Sequence, residues 1–149
     1  MNAFIAYAQQ KLNTDKRLIV LYCLIYFLWG LGMNEFGKIV EIARFQNWWQ
    51  VITTYIIYMV PISLLLRGLP FHQQYAYGLV AMAFLEFGGY ALETSYAYPN
   101  NLLDTFFGQR NFSLSMALFF ALYFPLGNWF VGKIYSLIFK GVGNKKDAS

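Results

Sequence analysis

The stretch LIVLYCLIYFLWGLGM, residues 18–33, carries no charged side chain and shows no polar stripe. As a helix it reaches about 24 Å at 1.5 Å per residue, slightly short of a hydrocarbon core of ~30 Å. A secretory signal peptide competes for this segment, because Lys16 and Arg17 precede it and Gly30 and Gly32 are small. The leading segment is long for that role, and no small-x-small site is followed by a polar start. The segment therefore reads as a membrane span, and the rest of the chain has to be compatible with one.

Three further apolar runs follow, at 48–66, 75–94 and 112–139. Trp48 and Trp49 open the first of these as an interfacial anchor, and Pro61 should kink it or free a backbone carbonyl. The last run would reach roughly 42 Å as one straight helix, so tilt or a kink at Pro125 must absorb the excess. A split into two half-spans around residues 125–128 is the weaker alternative. The expectation is an all-α polytopic membrane protein, a four-helix transmembrane bundle with spans at about 18–33, 48–66, 75–94 and 112–139. The whole of 1–149 reads as a single membrane domain, with no internal repeat, low-complexity tract or linker.

Two connecting segments have their own pattern. In NEFGKIVEIARFQN, residues 34–47, Phe36, Ile39, Val40 and Ala43 gather on one side, while Glu35, Lys38, Glu41 and Arg44 spread over the other. This predicts an interfacial amphipathic helix over 34–47, or a helical extension of the first span. The outer loop contains YPNNLLDTFFG, residues 98–108, which reads as a short helix starting near Asn100 or Asn101 and stopping at Gly108. Residues 1–17 suggest another short helix at the membrane surface.

Composition supports the location. Of 149 residues 58% are hydrophobic, 21% aromatic and 12% charged, against about 25% charged in a soluble domain. The formal charge of +4 sits mostly at the two ends, where it flanks spans rather than forming a nucleic-acid surface. With four spans, both termini share one side. That side holds Lys11, Lys16, Arg17, Arg67, Lys140, Lys145 and Lys146, and the other Lys38, Arg44 and Arg110. The asymmetry predicts both termini in the cytoplasm, in the cytoplasmic membrane of a bacterium.

Cofactor chemistry has little to work with. His72 and Cys23 are the only residues of their types, so two-histidine haem ligation, multi-histidine metal sites and zinc sites built from cysteine are excluded within one chain. Phosphate-cradling glycine loops are missing as well. No metal or cofactor is called for.

Glu86 is the residue that needs an explanation. Counting inward from Thr94 places it roughly 12 Å below the outer end of its span, where a charged acid costs about 2.5–3.5 kcal/mol. It should face the bundle as the neutral acid, near Tyr26, Tyr55, Tyr58 and Tyr123. Glu93 lies on the same helical face but about 10 Å further along, too far to share a proton. It fits better with the outer loop, in a cluster of Glu93, Arg110, Asp104, Asn100 and Asn101.

Three functions fit these residues. The first is a non-catalytic accessory or scaffold component of a membrane complex, in contact with the lipid bilayer and with other membrane subunits. The second is a homo-oligomeric carrier or binding protein for a hydrophobic or cationic small molecule, with Glu86 as a proton-linked acid. The third is a membrane enzyme acting on a lipid or isoprenoid, with Glu86 or Glu93 as general acid. A cavity at Glu86 would separate the second and third from the first.

Overall fold

A computed structural model describes residues 2–98, 101, 105–106 and 112–143. The molecule is mostly helical, and three of its helices are long and apolar enough to cross a membrane: Lys16–Ile39, Trp48–Leu66 and Leu114–Phe139. This is a membrane protein.

The chain starts with α1, Asn2–Leu12, held by the Tyr7 hydroxyl donating to the Leu65 carbonyl at 2.7 Å. Lys11 Nζ donates to the Arg67 carbonyl in the same region. Asp15 then caps α2, Lys16–Ile39: its carboxylate accepts from the Arg17 N–H and from the Tyr135 hydroxyl, each at 3.0 Å. These bonds, the Arg17 N–H first, hold its carboxyl below the usual carboxylate range.

The amphipathic segment 34–47 does not form a helix of its own. Residues 34–39 continue α2, the helix closes at Val40, and Ala43–Phe45 is a strand, β1. Glu41 adopts a left-handed conformation, φ 54°, its N–H bonds the Lys38 carbonyl, and the Ile42 N–H returns to the Gly37 carbonyl at 2.9 Å. This closing loop turns the chain back on itself. Helical periodicity carried on into β1 by accident of sequence, but the pairing partner of β1 is far away in the chain and invisible to a local pattern.

The second apolar run forms one helical pass in three pieces: α3, Trp48–Ile52; a π-helical stretch, Thr53–Met59; and α4, Val60–Leu66. Pro61 offers no N–H to the Ile57 carbonyl, and the widened turns precede it. Next comes α5, Phe71–Ala91, starting and ending a few residues earlier than the run 75–94 suggests. The strand β2, Ser95–Ala97, pairs antiparallel with β1, Ala43 opposite Ala97 and Phe45 opposite Ser95. The last run is α6, Phe112–Phe120, and α7, Tyr123–Gly143, separated by a turn at Ala121–Leu122. The Ala121 carbonyl, which Pro125 cannot engage, accepts from the Phe124 N–H instead.

The two halves of the described chain have the same plan. In each, a long helix ends on a glutamate in the left-handed region, Glu41 in one and Glu93 in the other, both with φ 54°. Thr94 N–H returns to the Gly89 carbonyl at 2.9 Å as Ile42 does to Gly37. A three-residue strand follows, then a helix disturbed just before a proline: Pro61 lies thirteen residues after Trp48, and Pro125 thirteen after Phe112. The halves differ in the link after the strand, residues 46–47 in one and 98–111 in the other. The letters share only short pieces, such as Glu-Phe-Gly at 35–37 and at 86–88, and what the halves have in common is chiefly backbone geometry.

Candidate functional site

Polar side chains inside the bundle gather at two levels. Near the end where α2 and α5 begin, the Tyr22 hydroxyl donates to Asn128 Oδ1. Asn128 Nδ2 donates to Gln74 Oε1 at 2.8 Å and to the Ser63 carbonyl at 3.2 Å. Gln74 Nε2 in turn donates to the Leu69 carbonyl at 2.7 Å. The Ser63 hydroxyl donates to the Tyr26 oxygen, and Tyr26 donates to the Tyr123 carbonyl at 3.4 Å. Tyr22, Tyr26, Ser63 and Gln74 are all buried. Gly127 admits the Tyr26 phenol, since any Cβ there would overlap it. Sequence reasoning passed over Asn128, Gln74 and Ser63. Uncharged polar residues in apolar runs give little signal, although an amide in a span is itself a reason to look for a partner.

The other level lies toward the strand ribbon and holds Glu86. α5 ends at Ala91, so Glu86 is about 8 Å from the helix end, nearer the ribbon than a count from Thr94 gives. It borders a cavity of about 50 Å³ together with Asn34, Thr54, Tyr55 and Ser95. One water needs ~10–15 Å³ of such space, so the cavity admits several waters or a small group. Arg44 borders it as well, and the remainder of the wall is apolar, with Met33, Met59, Met82, Met116, Phe119 and Phe120 prominent. Tyr55 keeps its place there because Gly30 leaves room for its ring.

Two openings adjoin this cavity. A lateral groove of about 360 Å³ runs between the second pass and α5, sharing Thr54, Leu85, Glu86 and Ser95 with the cavity. Gly88 and Gly89 border it. No atom outside the local helix lies within 4 Å of a Cβ built on Gly88. A second opening of about 420 Å³ is mixed, bordered by Asn34, Lys38, Arg44, Gln46 and Asn47 together with Phe45, Trp48 and Val51. Phe45 borders all three spaces.

Among the described residues, no hydrogen bond or ion pair reaches the Glu86 carboxylate. Tyr55, Tyr90 and Tyr123 are the tyrosines within electrostatic reach of it. Tyr26 is tied to Ser63 at the other level, and the Tyr58 hydroxyl donates to the Ala81 carbonyl at 2.6 Å. The Tyr123 hydroxyl is buried beside Trp29, whose ring meets the phenol edge-on at 5.7 Å. Asn34 Oδ1 is buried without a partner. Arg44 borders the cavity with its guanidinium 5.6 Å from the Tyr98 ring centre.

Glu93 lies outside the cavity. It is exposed at the closing turn of α5, and its carbonyl accepts from Gln46 Nε2 at 3.0 Å. Asn101 is buried and donates to the Tyr98 carbonyl at 2.6 Å, while its own carbonyl accepts from the Thr105 N–H. Asn100, Asp104 and Arg110 lie outside the described residues, as does most of the expected loop helix. No group of three or more metal-ligating side chains is found among the described residues.

No protein-family model matches the chain, and comparison with curated proteins and with solved structures finds no match either.

Proposed function

We propose that the chain is a membrane-embedded binding protein or carrier for a small hydrophobic cation, with Glu86 as its proton-linked counter-charge. The observation that carries this reading is the Glu86 carboxyl, which borders a largely apolar cavity and meets no hydrogen bond or ion pair from a described residue, while the Arg44 guanidinium on the same wall lies over the Tyr98 ring. An acid that merely holds helices in register has a Tyr hydroxyl or carbonyl to bond, and that is the arrangement an accessory subunit would need. A charge in such surroundings is costly without a counter-charge, so on this reading Glu86 keeps its proton until a ligand arrives. An arriving cation replaces the proton, and the aromatic rings and methionines around it accept the ligand's apolar body.

The topology behind this reading is a four-helix bundle in which α5 is also a span, with both termini on the cytoplasmic side of a bacterial membrane. The lysines and arginines flanking the first and last passes support that orientation. The lateral groove gives a lipid-dissolved molecule a route to Glu86. Four passes frame one cavity, so a carrier would work as a homo-oligomer.

The test is proton release. Titration of the purified protein in weak buffer with a lipophilic amine should liberate close to one proton per site, and Glu86→Gln should abolish both the release and the binding. A Glu86→Gln protein that binds the amine as tightly as the parent would sink the proposal.

A further inference from the structure

The two halves place chosen side chains at corresponding positions. Asn34 precedes Glu41 by seven residues, as Glu86 precedes Glu93. Both border the same cavity, one from α2 and the other from α5. Asn34 Oδ1 is a buried acceptor with no donor, and the Glu86 carboxyl becomes a second acceptor on the same wall once its proton has left. The Asn34 amide nitrogen faces away, toward Glu35 Oε1 at 3.4 Å.

A buried acceptor left unpaired costs free energy unless a ligand pairs it. From this juxtaposition we infer that the ligand is an ammonium bearing at least two N–H donors on a compact apolar body, a primary or secondary amine rather than a quaternary one. The inference rests on the cation-binding reading of Glu86 and narrows it. One N–H goes to the Glu86 carboxylate and carries the charge pairing. A second goes to Asn34 Oδ1, which selects the ligand by hydrogen bonding. A quaternary ammonium satisfies the charge and the aromatic wall but leaves Asn34 Oδ1 unpaired, the kind of mismatch that discriminates strongly.

The experiment is calorimetric titration of the full chain in lipid nanodiscs with phenethylammonium and with its N,N,N-trimethyl counterpart. The parent should prefer the primary amine by about tenfold, the worth of one good hydrogen bond. Asn34→Leu should erase the preference while keeping affinity for the trimethyl compound, which also shows that the variant is folded. Equal binding by the parent, or a preference that survives in Asn34→Leu, overturns the role of Asn34 and leaves the Glu86 reading standing. Undiminished binding of both compounds to Glu86→Gln overturns the Glu86 reading itself.

Discussion

The two polar levels of the bundle are built on corresponding positions yet end in opposite states. Tyr22 precedes Glu41 by nineteen residues as Gln74 precedes Glu93, and the two meet at Asn128, where donors and acceptors balance. Asn34 and Glu86 also correspond, but with the Glu86 proton gone both are acceptors, and they share the wall of a cavity. In an apolar medium a balanced set of polar groups rigidifies the structure, whereas a one-sided set is stable only with something added. The first level holds the bundle together. The second is where a ligand would fit.

Three substitutions test that contrast. The largest effect is expected from Asn128→Leu, which strips the Tyr22 hydroxyl and the Gln74 carbonyl oxygen of their partner at once. At 1–3 kcal/mol for each buried group left unpaired, the loss should be about 3 kcal/mol, read from thermal or denaturant unfolding in detergent. Amine affinity per folded molecule should stay unchanged. If Asn128→Leu is as stable as the parent, the first level does not hold the bundle together.

Glu86→Leu should move the other way. It removes an unpartnered acid and fills part of the cavity, so stability should rise by roughly 1 kcal/mol while binding disappears. A large destabilisation on the same assay would mean that Glu86 is structural, and the contrast between the levels would fail.

The smallest effect concerns the closing turns. Glu93 holds φ 54°, a region that costs a residue with a Cβ roughly 1 kcal/mol or more relative to glycine. Glu93→Gly should therefore stabilise the protein by about that amount and leave binding untouched, in line with its place outside the cavity. A drop in amine affinity would return Glu93 to the site.

Much of the architecture was legible because long apolar runs state their environment directly. Trp48 begins the second pass where the sequence puts it, and disturbed helix precedes both Pro61 and Pro125. Glu86 stood out because a charge in such a run is expensive wherever the chain folds. The strands were hidden, since Ala43–Phe45 and Ser95–Ala97 are too short for alternation to show and pair across fifty residues of helix. Asn34 was hidden differently: at the polar edge of a span it looks like any surface amide, and only its buried oxygen reveals it. Tyr26 pointed to the wrong level because matching depths along straight helices ignores which way a ring turns.

The connections between the two halves bear on assembly in the membrane. At one end of the bundle β1 pairs with β2, and Gln46 and Gln50 reach the Glu93 and Thr94 carbonyls. At the other, Asn128 bonds Tyr22 and the Ser63 carbonyl. On the four-span reading proposed above, each half would be a helical hairpin able to insert without the other, because its backbone groups are largely satisfied within its own helices. The two hairpins then join along fastenings at both ends, so severing the chain in the turn between Arg67 and Pro70 should still leave two fragments that find each other in a bilayer.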